Sequence, residues 1–307
     1  MKKGATVSKD IYRKCTLCKR ECKADREKSV GFCKMPSDIY IARAALHLWE
    51  EPIISGTRGS GTIFFSGCSL GCAFCQNREI SRGPFGAKVD VHRLCEIMLE
   101  LQDSGAHNIN FVTPTHYAPS VKEATSLAKE RGLTLPIVYN TGGYDTFKTV
   151  RSLSGTVDVY LPDFKFYTSK TAEKYASAPK YPENIREIID EMVSQTGKAA
   201  IGEDGTIRRG VVVRILLLPS HVAEAKLTVK YLYERYGDDI YLSLMSQYTP
   251  MPDMAKPLSR KVTREEYREL VEYADKIGVT HAFIQDSASA TDSYVPAFDG
   301  TGVVKSS

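Results

Sequence analysis

Six short runs of β-rich, mostly apolar residues recur along the chain: "GTIFFSG" (61–67), "NINFVT" (108–113), "LPIVYNT" (135–141), "VDVYLP" (157–162), "GVVVRILLLP" (210–219) and "IYLSLMSQY" (240–248). Each is apolar on both faces, and helix-length segments separate them. Strands of that kind are buried on both sides, which predicts a parallel sheet covered by helices. Six βα units fall short of a closed eight-fold barrel but suit an open, partial one, and 307 residues leave room for appendages.

Helix ends are readable between the strands. "SVKE" (120–123) predicts a capped helix stopping near Gly132, and Pro182 opens "PENIREIIDEMVSQTG" (182–197). "TREE" (263–266) repeats the capping pattern ahead of a helix over 264–277, and "HAFIQ" predicts a short strand after it. Segment 199–210 carries an Asp-Gly turn and predicts a small hairpin before the fifth strand. For His47 and Trp49, in the linker 36–60, a packed helix face is the expectation.

Forty-one basic and 37 acidic side chains give a formal charge of +4 without a like-charge run, which argues against obligate nucleic-acid binding. No window is apolar enough to span a membrane, and the lysines near the N-terminus precede no apolar signal core. A cytoplasmic protein is expected, and there eight cysteines read as metal ligands or reactive thiols, not disulfides.

Three of them, Cys68, Cys72 and Cys75, follow the first predicted strand at CxxxCxxC spacing, with Gly67 and Gly71 letting the loop fold tightly. A closed structural site takes four protein ligands, whereas three thiolates can hold three irons of a cubane cluster and leave the fourth open. A zinc knuckle borrowing Cys95 is the alternative. Cys95 lies on the apolar face of "VHRLCEIMLE", however, where a buried inert thiol fits better.

The strand, the CxxxCxxC loop with Phe74 before its last cysteine, and the strand–helix alternation over about 60–250 resemble the radical S-adenosylmethionine (SAM) superfamily. Within it the chain resembles pyruvate formate-lyase activating enzymes, in an activase-like branch with a cysteine-rich N-terminus. The resemblance implies an α/β fold built on a partial (β/α)6 TIM-like barrel. It also implies a [4Fe-4S] cluster on Cys68, Cys72 and Cys75, with SAM on the fourth iron. Reductive cleavage would give a 5′-deoxyadenosyl radical that abstracts hydrogen from a protein, such as a glycyl radical enzyme, or from a small molecule. An electron donor such as flavodoxin or ferredoxin and action as a monomer are implied as well.

Around the barrel mouth the family's Gly-Gly-Glu turn is replaced by "TPTHY" (113–117), leaving Thr113, Thr115 and His116 as candidates for SAM contacts. "YNTGGYD" places Asn140 and Thr141 at the positions of the activases' Asp-Thr-Asn-Gly turn. "PDFK" matches their Asp-x-Lys pattern, so Asp163 and Lys165 become catalytic candidates, Asp163 with a monovalent cation near SAM. A simple Asp–Lys ion pair is the alternative. Arg214 stands among aliphatic residues on the fifth strand, which suits either the SAM carboxylate or a buried pair with Asp163. Gln247, with Tyr248, falls where activases touch adenine or ribose, and Met245 and Leu244 could pack there.

Cys15, Cys18, Cys22 and Cys33 form a second group at CxxCxxxC plus a fourth. Four thiolates make a closed site, structural or electron-relaying, with zinc and a second Fe–S cluster equally compatible. Lys14, Lys19, Arg20 and Lys23 are expected to offset its charge. The organisation expected is a cysteine-rich module and linker over 1–59, the barrel over 60–250 and a packed C-terminal extension over 251–307. A non-catalytic, zinc-stapled module binding protein or nucleic acid is the competing reading.

Overall fold

The structure, a computed structural model, describes residues 10–252, 254–285 and 295–304. The strands are β1 (Ile39–His47), β2 (Ser60–Phe65), β3 (Ala87–Val89), β4 (Ile109–Val112), β5 (Ile137–Thr141), β6 (Val159–Pro162), β7 (Ala200–Ile201), β8 (Ile207–Leu216), β9 (Tyr241–Met245) and β10 (Ala282–Ile284). They form one sheet in the order β10-β9-β8-β6-β5-β4-β2-β1-β3, with β7 attached to β8. The six runs expected from sequence are β2, β4, β5, β6, β8 and β9. They pair in parallel, and the "HAFIQ" run joins as β10, parallel to β9. The end strands do not meet, so the α/β fold is a partial, open TIM-like barrel. β7 and β8 form the expected hairpin around Asp204 and Gly205.

Two local expectations are corrected. The segment containing His47 is not a helix: "IYIARAALH" is β1, antiparallel to β2, with His47 opposite Ser60 and Trp49 59% exposed beyond the strand's end. Ile39 and Ile41 are buried on either side of half-buried Tyr40 at its start, and pairing gives its backbone groups partners that a lone amphipathic pattern does not specify. The helix after β4 also starts earlier than "SVKE". It spans Ala118–Glu130 with Pro119 in its first turn, where a fixed φ suits helix entry, and Ser120 lies inside it, hydrogen-bonded to Tyr12. Pro182 and Gly197 bound their helix as expected, and the Thr263–Glu266 capping box is formed.

Alternation along each parallel strand separates two cores. Outward residues such as Ile63, Phe111, Tyr139, Tyr160 and Val213 pack in the main core, under the helices. Inward residues Val138, Val159, Leu161 and Val212 meet Ile53 and Ile54 instead, which come from a short plug after β1. The Asn108 amide fixes that plug by donating to the Ile54 carbonyl at 2.7 Å. The plug fills the lumen near the N-terminal strand ends and leaves the opposite end for a site, as in related barrels. Beyond it, segment 295–304 lies along β1: Ala44 donates to Thr301, Gly300 donates to Ala42, and Phe298 meets Phe64 edge-on.

Candidate active site and a second cysteine group

The loop leaving β2 turns at Gly67 (φ 84°) and Gly71 (φ 66°), conformations in which a Cβ is strained. At Gly67 a Cβ would also lie 2.1 Å from Met35 Cγ and 2.8 Å from the Cys33 carbonyl, so only glycine fits. The turn delivers Cys68, Cys72 and Cys75 to one cavity of about 260 Å³ at the C-terminal strand ends. All three are free thiols. Burial pushes Cys72 and Cys75 upward, and nearby Lys165 opposes this at both.

Among the described residues no three His, Cys, Asp or Glu side chains converge as ligands of a single metal ion do. Cys95 is fully buried in helix Val91–Asp103 and does not line the cavity, so it behaves as the inert thiol of the apolar face. Three thiols spread around a cavity, without a fourth lining it, fit a multi-iron cluster better than a knuckle.

The cavity's charged wall is one network. Lys165 Nζ lies 2.7 Å from Asp163 Oδ2, and Arg214 Nε lies 2.8 Å from Asp163 Oδ1. Arg214 also donates to Asn140 Oδ1 at 2.6 Å and meets Glu50 at 3.3 Å, while Asn140 donates to Glu50 Oε1 at 3.3 Å. Burial alone would raise the Asp163 carboxyl, but Arg214 and Lys165 outweigh it and hold it below its ordinary value. Burial likewise opposes the Lys165 ammonium, and Asp163 and Cys72 more than offset this. Both Asp163 oxygens are therefore engaged, with the Asp–Lys and Asp–Arg pairs present together.

Glu50 and Glu51 come from the plug and were not anticipated. Glu51 is 8% exposed, its Oε2 lacks a hydrogen-bond partner, and burial raises its carboxyl to about 7 despite Arg214. The only local signal is the pair of acids running into apolar "PII".

Thr113, Thr115, Asn140 and Gln247 line the same cavity, as do Phe74 and Met245. Thr113 holds a left-handed φ of 59°. Phe74 packs edge-on against Phe166, Tyr175 and Tyr248, fixing the loop between Cys72 and Cys75. Thr141 faces away and donates to Asp145. His116 is also outside the cavity. Its Nε2 lies 2.7 Å from the Ser66 carbonyl, and burial with nearby Arg26 lowers it to about 3, so it is a neutral packing histidine. Leu244 points into the outer core, and Tyr248 donates to the Leu258 carbonyl.

The N-terminal cysteines sit directly behind the reacting loop. Arg20 does not offset their charge as expected: it stacks on Phe32 and donates to the carbonyls of Ser69, Leu70, Ala176 and Ser177. Leu17 and Lys19 bond to the turn after β5.

The family pattern described as the radical SAM superfamily matches residues 62–224. A Methanocaldococcus jannaschii protein named only as uncharacterized is 29% identical over 289 residues, covering 88% of this chain and 77% of the relative. A radical SAM methyltransferase from Sphaerobacter thermophilus superposes with a TM-score of 0.52 at 15% identity, over 73% of this chain and 66% of that one. Streptococcus suis SuiB bound to S-adenosylmethionine superposes with 0.50 at 12% identity, over 71% and 48%. The chain thus spans less than two thirds of either solved protein. No described helix is long and apolar enough to cross a membrane.

Proposed function

The chain belongs to the radical SAM superfamily of enzymes, and from that premise we propose that it cleaves SAM reductively at Cys68, Cys72 and Cys75 to abstract hydrogen from a protein substrate. When bound, a [4Fe-4S] cluster and SAM supply a one-electron cleavage to methionine and a 5′-deoxyadenosyl radical. The observation that carries the assignment is the single cavity shared by three thiols and the Asp163–Lys165–Arg214 network.

The residues' roles follow from their contacts. Cys68, Cys72 and Cys75 bind irons, and the glycines let the backbone close around them. Arg214 lines the cavity and holds Asp163, Glu50 and Asn140 together through its three guanidinium nitrogens, fixing the polar wall against which SAM would lie. Lys165 keeps its proton beside Asp163 and faces the same space. Thr113, Thr115, Asn140 and Gln247 offer neutral polar groups along the wall, and Phe74 and Met245 offer apolar surface for a nucleobase. Family membership displaces the non-catalytic binding module.

Anaerobically reconstituted protein, reduced with dithionite and given SAM, is expected to show a brown cluster absorbance and to release 5′-deoxyadenosine. Cys68→Ala should lose both. A wild-type chain that takes up iron and sulfide yet never yields 5′-deoxyadenosine would sink the assignment. For the substrate, a candidate protein partner should accelerate 5′-deoxyadenosine release and acquire a carbon radical detectable by electron paramagnetic resonance.

A further inference from the structure

Arg26 is the most fully buried cation in the described structure, with 0% exposure. Its guanidinium donates to the carbonyls of Met35, Pro36 and His116, and Tyr12 and Tyr117 flank it with ring centroids 5.0 and 5.4 Å away. Among the described residues no carboxylate pairs with it. Its remaining side-chain hydrogen bond is to Cys15 Sγ, at 3.7 Å, and Cys33 lies beside it as well. A buried guanidinium facing only neutral groups is strongly unfavourable; one facing thiolates is not.

Two further features point the same way. Glu21, Lys23 and Lys34 hold left-handed φ values of 43°, 54° and 64°, although none is glycine. They flank Cys22 and follow Cys33, and such strain persists only where the surroundings impose it. Gly31 lies between Cys22 and Cys33: a Cβ there would be 3.5 and 3.4 Å from the two sulfurs.

We propose that Cys15, Cys18, Cys22 and Cys33 bind a metal centre as a tetrathiolate, with Arg26 as its internal counter-ion. The four sulfurs do not already converge as the ligands of one ion do, so a zinc ion would draw them together whereas a [4Fe-4S] cluster would seat them farther apart; either leaves a four-thiolate site with net negative charge. The site is closed by protein ligands and is separate from the Cys68–Cys75 loop, so it stands whether or not that loop holds a cluster.

The test uses the full chain in which Cys68, Cys72 and Cys75 are all replaced by alanine, loaded in one arm with zinc and in the other with iron and sulfide. About one zinc, or about four iron and four sulfide, per chain is expected, and the arm that fills identifies the centre. Adding Cys15→Ala or Cys33→Ala should abolish uptake. Trace metal in both arms, or uptake indifferent to Cys15→Ala and Cys33→Ala, would overturn the proposal. A second measurement needs no variant that could misfold. Cys22 is exposed and, as a free thiol, would alkylate readily in the native wild-type chain. Peptide mapping should find it protected until a chelator is added, and unprotected Cys22 in metal-loaded protein would equally refute the site.

Discussion

Arg214 decides how the lumen tolerates its acids. Asp163, Glu50 and Glu51 are all buried or nearly so, and one guanidinium touches the first two directly. Arg214→Met is therefore expected to destabilise the fold by about 3–5 kcal/mol, the cost of leaving buried charge unpaired, measured by chemical denaturation. Glu51 makes the opposite kind of prediction. Its carboxyl is raised to about 7 when folded, so the folded chain holds a proton that the unfolded chain releases above its ordinary value of 4.5. Stability should fall as pH rises from about 4.5 to 7. Glu51→Gln should remove that loss, stabilising the protein at pH 8 by about 3 kcal/mol and leaving it nearly unchanged at pH 4.5. Equal melting shifts at both pH values would contradict the buried, protonated carboxyl.

At the scale of elements, Gly67 joins three of them. It follows β2, begins the cysteine loop and leaves no room for a Cβ against Met35 and Cys33 of the N-terminal segment. Gly67→Ala combines a left-handed φ with contacts that no side chain can occupy, and is expected to cost about 2–4 kcal/mol and to loosen the loop. Thermal melting and iron retention after reconstitution would register both effects. The parallel strands were legible in sequence because burial on both faces leaves a continuous apolar run, and the outer helices because Pro182, Gly197 and Thr263 mark their ends. β1 was not. "IARAALH" satisfies a helical pattern as well as an alternating one, and its identity comes from pairing with β2, which no local period encodes. The site divides the same way. Cys68, Cys72, Cys75, Asp163, Lys165 and Arg214 betray themselves as reactive or charged residues at strand ends. Glu50 reaches Arg214 across 164 positions, and nothing near it in the sequence says so.

Across the whole molecule, the N-terminal segment and the catalytic loop behave as one mechanical unit. Arg20 spans them. Its guanidinium takes carbonyls from Ser69 and Leu70 in the loop and from Ala176 and Ser177 at the end of helix Ser169–Ala176, while Phe32 lies 3.9 Å beneath it. Charge-assisted bonds to these carbonyls are worth more than neutral ones. Arg20→Gln should keep the sheet, whose strands it does not touch, and should lower global stability by about 1–3 kcal/mol. The sharper expectation is local. Iron bound at Cys68, Cys72 and Cys75 should be lost to a chelator faster than in the wild type, with far-UV circular dichroism unchanged. Wild-type retention in that variant would mean that the loop keeps its shape without the segment behind it, and that the two cysteine groups are neighbours without being coupled.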